Sequence, residues 1–282
     1  VLDSIGSDAL RWFLVSSPVL KGGNLAVDQE GKEIAKAARV AQIPMWNAYY
    51  FFTLYANAEG YQAKEVSGSS EAIDNYILSK LKRLSRIVKQ GLDTYDVALS
   101  CNEVASFMEI LNNWYIRRTR DRFWSGDQQA FDVLYTVLVN LSKIMAPLMP
   151  FLCEYVYKNL TGGESVHLAD YPQLENIKLD ETLVDEMDFL QDLCSAGKFI
   201  REEKNLRNRL PLAGLTVVGD NLGFLNGQYQ DIIKDELNVK EVKIDNNLAA
   251  YAAKTVYLYT PLLGKALGKD MGPVMAAYKQ GK

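Results

Sequence analysis

The sequence predicts a mainly α protein, an antiparallel helical bundle followed by a small α/β domain. Apolar residues recur with helical spacing in the first part of the chain, and after His167 the pattern changes to short segments rich in β-branched residues. The length of 282 residues exceeds the usual size of a single domain. We therefore expect a connector over residues 1–27, a helical bundle over 28–165 and an α/β domain over 166–282.

The helices of the bundle are predicted from the spacing of their apolar residues. Residues 28–58 begin with acidic side chains, as the helix dipole favours, and indicate a helix that bends or restarts near Pro44. Residues 60–72 are rich in Gly and Ser and indicate a surface loop. A later helix is expected to begin near Pro147 and to end before Gly162. Between the loop and that helix, three apolar stripes predict three more helices: Ile77, Leu81, Leu84, Val88 and Leu92; Val97, Cys101, Val104, Met108, Leu111 and Tyr115; and Phe131, Leu134, Leu138, Leu141 and Met145.

The last part of the chain mixes helix and strand patterns. Residues 182–204 indicate a helix, residues 215–219 (LTVVG) a short strand, and residues 224–237 a second helix. VKEVKI at 239–244 is a strand candidate, although its alternation is too weak to fix its faces. TVYLY at 255–259 is a third strand candidate because it is rich in β-branched and aromatic residues.

Composition and charge restrict the class of protein. The apolar fraction of 48% and the charged fraction of 23% are typical of a soluble globular protein. A net charge of -4 argues against a protein that binds nucleic acid with its whole surface, so any such contact must come from local basic patches. The three cysteines are widely separated, which excludes a disulfide framework and fits a reducing cytoplasm. No apolar run approaches the roughly 20 residues that span a bilayer, so a soluble cytoplasmic protein is expected, and the start at Val1 inside a motif indicates a fragment.

The search for a catalytic site is negative. The sequence has no GxxxxGK[ST] phosphate loop, no GxGxxG after a strand, no HExxH and no GxSxG elbow. His167 is the single histidine, and no nucleophile motif accompanies it, so we interpret it as a packing or turn residue. We therefore expect no catalytic residue, metal site or cofactor in these residues.

Basic residues interleaved with aromatic residues give the positive signal. In NNWYIRRTRDRFWSG, at 112–126, four arginines outnumber one aspartate. Guanidinium groups bind phosphates bidentately and stack on bases, and indole rings offer stacking faces. The alternative is a solvated helix end with tryptophans in the core. The predicted RNA contacts in this stretch are Trp114, Arg117, Arg118, Arg120, Arg122 and Trp124.

Two further basic stretches extend the predicted RNA surface. The first lies on one predicted helix face, away from the leucine stripe, and the second is KFIREEKNLRNRLPL at 198–212. Such local potential can steer a polyanion without a positive total charge. The alternative is an ordinary solvated surface. The predicted contacts are Lys82, Arg86 and Lys89 in the first stretch, and Arg201, Lys204, Arg207 and Arg209 in the second.

At these residues the chain resembles the class I aminoacyl-tRNA synthetases. GSDALRWFLVSSP, at 6–18, is similar to the segment after the KMSKS loop, with Ser7 in place of the usual Ala. NNWYIRRTRDRFW resembles the anticodon-binding helix of the isoleucyl, valyl and leucyl subgroup, and KIMAPLMPFLCEYVYKNL resembles the helix that follows it. ESVHLADYP is similar to the exit from that bundle, which makes His167 a family marker without a catalytic role.

The last hundred residues favour the isoleucyl branch of this family. CSAGKFIREEKNLRNRLPL resembles the isoleucyl version, in which an Arg-x-Arg-x-Pro-Leu pattern ends the helix, although Leu210 stands where Gln is common. DIIKDELNVKEVKI and LGKALGKDM are also similar to that branch. The valyl branch is the near alternative. The cysteine-rich zinc module of many bacterial members has no counterpart here.

The resemblance implies a role for the chain within a longer enzyme. The parent would attach isoleucine to tRNA(Ile) with ATP and Mg²⁺ in the cytoplasm. The HIGH motif, the KMSKS loop and the editing domain are outside these residues, so the chain alone is expected to be non-catalytic and to hold no cofactor. Its expected partners are the anticodon stem-loop of tRNA(Ile) and the rest of the synthetase chain. No membrane is expected as a partner.

A rival hypothesis from another class is a stand-alone helical module that binds protein. Its basis is the aromatic run Tyr49, Tyr50, Phe51 and Phe52, which would have to be exposed as a patch. An independent small-molecule enzyme is the third hypothesis, and it lacks a recognisable site.

Overall fold

The chain forms two compact units in a computed structural model that describes residues 5–25, 31–251 and 259–279. The units are Val1–Phe189 and Leu190–Lys282. The first unit continues past residue 165, where the sequence analysis ends the bundle, because residues 171–188 bond to helix residues of that unit. The hydroxyl of Tyr171 donates to the carbonyl of Ser85 at 2.8 Å, and Asp188 pairs with Lys80 at 2.9 Å.

The first helices are interrupted where the sequence predicts a bend. Helix α1 (Ser7–Ser16) is followed by a 3-10 turn, and α2 (Lys32–Ala37) runs through a π-helical segment (Ala38–Gln42) into α3 (Ile43–Glu59). We name Ala38–Gln42 the first π segment. It ends just before Pro44, which has no amide hydrogen for the helix ladder. The predicted start of this helix at residue 28 lies outside the described residues.

The remaining helices of the first unit follow the predicted order. They are α4 (Ala72–Asp93), α5 (Val97–Glu109), a second π segment (Ile110–Ile116), α6 (Arg117–Trp124), α7 (Gln128–Met145), α8 (Pro150–Thr161) and a 3-10 turn (Val166–Leu168). The expected start of α8 near Pro147 is wrong. The helix begins at Pro150, because Asp8 of α1 accepts hydrogen bonds from the amides of Phe151 and Leu152 at 3.3 and 2.7 Å and caps the helix there.

The predicted apolar stripes form the core of the first unit. Leu81, Leu111 and Leu138, one from each stripe, are completely buried. Around them pack the aromatic rings of Phe123 and Phe131, whose centroids lie 5.0 Å apart in an edge-to-face arrangement. Each such side chain contributes roughly 1.5–3 kcal/mol by leaving water. This core fixes the orientation of α4, α5 and α7, against which the helices that carry the candidate site pack.

The loop at 60–72 is fastened along α7. The amide of Lys64 donates to Asp132 at 2.9 Å, and the amide of Val66 donates to the hydroxyl of Thr136 at 2.8 Å. The hydroxyl of Tyr61 also donates to Asp132, at 3.0 Å. The predicted surface loop is therefore confirmed, and two of its backbone amides are satisfied by α7 side chains.

The second unit contains a βαβ arrangement. After α9 (Glu181–Glu203) come β1 (Leu212–Val218), α10 (Gln228–Leu237) and β2 (Val239–Asp245), with 3-10 turns at Leu222–Phe224 and Leu248–Ala250. The strands pair in parallel, with Leu212 opposite Val239 and Val218 opposite Asp245, so both predicted strands are confirmed. Helices α11 (Thr260–Leu267) and α12 (Met271–Lys279) follow. Residues 255–258 of the third strand candidate lie outside the described residues.

None of the helices among the described residues is both long enough and apolar enough to cross a membrane.

Candidate nucleic-acid interface

Helix α6 divides its residues between the core and solvent. Thr119 and Phe123 are buried against the bundle, at 1% and 0% exposure. The residues one step later, Arg120 and Trp124, are therefore exposed. Arg117 is also exposed, and Arg118 is partly exposed. The predicted basic stretch thus presents a guanidinium and an indole, four positions apart, on the same side of α6.

Arg120 and Trp124 form one wall of an open cleft against α3. Trp124 is 56% exposed, and its Nε1 donates to the hydroxyl of Tyr55 at 2.9 Å. The guanidinium carbon of Arg120 lies 5.9 Å from the centre of the Trp124 ring. We call this the stacking cleft; its volume is about 320 Å³, and it is lined by Asn47, Tyr50, Phe51, Leu54, Tyr55, Arg120 and Trp124. Exposed rings beside a guanidinium are what an unstacked base and its phosphate require.

A second cleft adjoins the stacking cleft. It measures about 560 Å³ and takes residues from both π segments, including Arg39 from the first and Asn112 and Asn113 from the second. Asn47 lines both clefts. We call the second one the polar cleft, because amides, a guanidinium and the carboxylate of Glu109 line it. π-helical turns inside α-helices are rare overall, and those that occur often lie at functional sites.

Sequence reasoning missed these polar residues. Arg39 follows Lys32 and Lys36 at spacings of 4 and 3 on a predicted helix, which is a signal for a basic face, whereas nothing in the spacing marks Asn47. Asn112 and Asn113 were visible as the first two residues of the arginine-rich stretch. Asparagine is unfavourable for helix stability, so two asparagines inside a predicted helix were a signal that these positions serve another purpose.

Arg122 departs from the prediction. Its Nη1 and Nη2 donate to the two carboxylate oxygens of Asp74 at 2.8 and 3.0 Å, and its Nε donates to Asp127 at 2.7 Å. The expectation that Arg122 offers its guanidinium to RNA is therefore corrected, because the completely buried carboxylate of Asp74 requires a cationic partner. Burial alone would lower the pKa of Arg122, but the hydrogen bonds to Asp74 and Asp127 raise it above its usual value.

Trp114 is also inside the protein. It is 6% exposed, so the open stacking face that we expected is wrong and the alternative of a core residue holds. The guanidinium carbon of Arg118 lies 5.3 Å from the centre of the Trp114 ring. Among the described residues, the indole Nε1 of Trp114 finds no hydrogen-bond partner.

The basic face predicted on α4 is only partly present. Lys82 is buried, and its Nζ donates to the backbone carbonyls of Ile177 and, at 3.2 Å, Glu175. The expected exposure of Lys82 is wrong because this ammonium group satisfies carbonyls of the irregular segment before α9. Arg86 and Lys89 are exposed as predicted, and Lys89 pairs with Asp93 at 2.6 Å.

The third basic stretch belongs to the second unit, and it also contains both buried and exposed basic residues. Arg201 is buried, and its guanidinium donates to the carbonyl of Leu237 at 3.0 Å and to the carbonyls of Arg207 and Leu210. Its predicted role as a surface contact is corrected for this reason. Lys204, Arg207 and Arg209 are exposed.

Cys101 and His167 do not have the surroundings of reactive residues. Burial raises the pKa of the Cys101 thiol to about 12, which makes it a poor nucleophile. His167 is exposed, and its amide donates to Ser165 at 3.1 Å in the 3-10 turn, as a turn residue would. Within the part of the chain that the structure describes, His, Cys, Asp and Glu form no group of three suited to a metal ion.

The aromatic run behind the rival hypothesis is divided. Tyr49 and Phe52 are core residues, at 8% and 5% exposure, whereas Tyr50 is exposed and lines the stacking cleft. The run therefore forms no continuous protein-binding patch.

The fold and the clefts define a helical module with basic and aromatic side chains exposed along α3 and α6. The family model described as "Anticodon-binding domain of tRNA ligase" matches residues 74–217, just over half of the chain. The chain belongs to this family. The match covers α4 to β1, and so includes α6 and the exposed cations of the second unit.

Similar proteins are isoleucine–tRNA ligases. The one from Corynebacterium efficiens is 44% identical over the whole of this chain and 26% of its own length, and the one from Leifsonia xyli subsp. xyli is 42% identical over the whole chain and 25% of its own length. The chain thus spans about a quarter of the length of the curated relatives it matches. A crystal structure of a ternary complex, Agrobacterium radiobacter K84 agnB2 LeuRS-tRNA-LeuAMS, is 16% identical with a TM-score of 0.46 over 65% of this chain and 21% of that chain.

Proposed function

We propose that the chain is the part of an isoleucine–tRNA ligase that binds the anticodon stem-loop of tRNA(Ile). The observation that carries this proposal is the stacking cleft, in which exposed Trp124 and Tyr50 lie with Arg120 beside the polar cleft. The names of the relatives support the assignment to isoleucine over valine. The parent enzyme would act in the cytoplasm and would use ATP and Mg²⁺ in regions outside these residues. The rest of the synthetase would belong to the same polypeptide as this chain.

The clefts offer the contacts that single-stranded RNA needs. A loop base that leaves its stack can lie on the Trp124 ring while Arg120 meets the adjacent phosphate. The amides and the carboxylate of the polar cleft provide donors and acceptors for base edges, which carry sequence information that phosphates do not. The first unit would therefore recognise the anticodon loop of the RNA without any catalytic group.

The second unit supplies a further set of phosphate contacts in this proposal. Lys204, Arg207 and Arg209 are exposed within a short connection between α9 and β1. Isolated cations attract phosphates without reading bases. We infer that they add affinity without sequence preference.

The proposal is tested by titrating the chain with an RNA hairpin of the tRNA(Ile) anticodon stem-loop at several salt concentrations. Trp124→Ala is expected to weaken binding by about 1–3 kcal/mol, the value of one base stacked on an aromatic ring. Arg120→Ala should lower the salt slope by about 0.7–0.9, one phosphate contact. Lys64→Ala, which removes an exposed cation outside both clefts and outside the predicted basic stretches, is the control and should leave the salt slope within error.

Two outcomes would contradict the proposal. One is equal binding of the wild-type chain and the Trp124→Ala variant. The other is equal affinity for the hairpins of tRNA(Ile) and tRNA(Val), which would leave RNA binding intact but remove the isoleucine assignment.

A further inference from the structure

The carboxylate of Asp74 lies at the centre of a buried hydrogen-bond network. It is completely buried in the first turn of α4 and accepts four hydrogen bonds. The donors are the hydroxyls of Ser69 and Tyr115, at 2.7 and 2.9 Å, and two nitrogens of Arg122. A buried carboxylate without such partners would be strongly destabilising, so this arrangement is rigid.

Arg122 extends this network to a second carboxylate. Its Nε donates to Asp127, whose other oxygen accepts the amides of Gln129 and Ala130 at 2.9 and 3.4 Å and caps α7. The guanidinium thus uses three of its roughly five N–H donors inside the protein. We call the bidentate pair of Asp74 and Arg122 the clamp. The clamp joins α4 to α6, while Tyr115 adds the second π segment and Asp127 adds the start of α7.

The clamp holds the side of α6 opposite the stacking cleft. Arg122 follows Arg120 by two positions, which is about 200° around a helix. Arg120 and Trp124 therefore project outward while Arg122 fixes the inner side to α4. Helix α6 has 8 residues and continues directly from the second π segment. Buried Phe123 and the clamp both hold its inner side against the bundle.

We propose that Asp74 and Arg122 are positioning residues for RNA binding, which hold α6 so that Arg120 and Trp124 face the RNA, and which do not contact the RNA themselves. This inference rests on the proposed function. It reassigns Arg122 from a phosphate contact to a support. Of the arginines in that stretch, Arg120 lines the stacking cleft.

The test uses the whole chain and the same tRNA(Ile) hairpin, with affinity measured at several salt concentrations. Arg122→Lys keeps the charge but cannot bond both oxygens of Asp74, and Asp74→Asn keeps the shape but removes the charge. Each is expected to weaken binding about 10-fold, because α6 loses its fixed rotation, with an unchanged salt slope. Arg120→Ala, by contrast, lowers the slope. Urea unfolding of each variant establishes that it is folded at the temperature of the titration.

Tyr115→Phe keeps the inference testable if the charged variants do not fold. It removes one hydrogen bond to Asp74 with little change in volume, and should weaken binding about 2- to 3-fold with the wild-type salt slope. A slope reduced by Arg122→Lys as much as by Arg120→Ala overturns the assignment, since Arg122 would then contact a phosphate. Unchanged affinity in folded Arg122→Lys and Tyr115→Phe also overturns it, while Trp124→Ala still reports on the proposed function. A wild-type chain that does not bind the hairpin overturns both.

Discussion

At the scale of one residue, the buried guanidinium of Arg201 holds the backbone of a segment whose basic side chains are exposed. Arg201 is 3% exposed and donates to the backbone carbonyls of Leu237, Arg207 and Leu210. These bonds join the end of α10 to the connection that carries Arg207 and Arg209. The exposed cations therefore depend on a buried one for their conformation.

Replacing Arg201 by Met is expected to destabilise the second unit by about 1.5–3 kcal/mol, the value of hydrogen bonds that involve a charged group. Three carbonyl acceptors lose their donor, and methionine fills part of the space. Circular dichroism during urea unfolding measures the effect. Arg207→Ala is the control, because it keeps the carbonyl that Arg201 contacts and removes an exposed cation. Equal stability of the Arg201→Met variant and the wild-type chain would exclude this role.

Asp127 gives the chain a predictable response to acid. Burial would raise its pKa, but the hydrogen bonds from Arg122 and from the amides of Gln129 and Ala130 lower it below the usual value of 3.8. A lowered pKa in the folded state contributes stability that is fully present above the unfolded pKa and is lost as the pH falls through the folded pKa. Asp127→Asn should therefore unfold more easily at neutral pH, and its difference from wild type should shrink as the pH falls below the unfolded pKa of 3.8 and through the lower folded pKa. Urea unfolding at several pH values tests this, and a difference that grows in acid would contradict it.

At the scale of elements, the crossing of α4 and α5 is set by a glycine. A Cβ built on Gly91 would lie 2.4 Å from the Ser100 hydroxyl oxygen and 3.0 Å from the carbonyl oxygen of Asp96. Ser100 is itself completely buried, and its hydroxyl donates to the carbonyl of Val88 at 3.2 Å. The two helices can approach this closely only without a side chain at position 91.

Gly91→Ala is expected to destabilise the first unit by about 1–3 kcal/mol through overpacking, even though alanine favours helix formation. Thermal unfolding followed by tryptophan fluorescence is the measurement. Gly68→Ala serves as the control, because its new Cβ would meet only an ordinary contact, 3.5 Å from Asn75. A Gly91→Ala variant as stable as wild type would show that the helices separate at little cost.

Sequence patterns predict elements better than they predict the direction of a polar side chain. The apolar spacing located α4, α5 and α7, because burial repeats with the helical period. Lys82 was placed on a solvated face because its spacing with Arg86 is regular, but its burial depends on carbonyls some 93 residues later in the chain. Such distant acceptors leave no local trace in sequence. The start of α8 at Pro150 has the same explanation, because its capping residue Asp8 is 143 residues away.

The candidate site was predictable only in part, for the same physical reason. The arginine-rich stretch marked Arg120 and Trp124, because composition alone reveals charge beside aromatic rings. The polar cleft depends on two π segments that meet from separate parts of the chain, and periodicity does not show such a meeting. Trp114 and Arg122 were indistinguishable by sequence from their exposed neighbours, since the burial of each is decided by its packing partners.

At the scale of the whole molecule, each compact unit has a separate hydrophobic core. The core of the first contains Leu81 and Leu138, and that of the second contains Val217, Ile233 and Val242. All four tryptophans of the sequence lie in the first unit, at positions 12, 46, 114 and 124. Tryptophan fluorescence therefore reports on the first unit, while circular dichroism reports on helices of both.

Ile233→Ala should separate these two signals. Ile233 is completely buried in α10, so the truncation is expected to cost about 2–5 kcal/mol. Because a compact unit with its own core can unfold by itself, the variant should lose part of its circular dichroism at lower urea while the midpoint of the fluorescence transition stays at the wild-type value. Leu138→Ala, a truncation of a buried leucine in the first unit, should have the reverse effect and shift the fluorescence midpoint. If Ile233→Ala instead moves both midpoints equally, the two cores unfold as one cooperative structure.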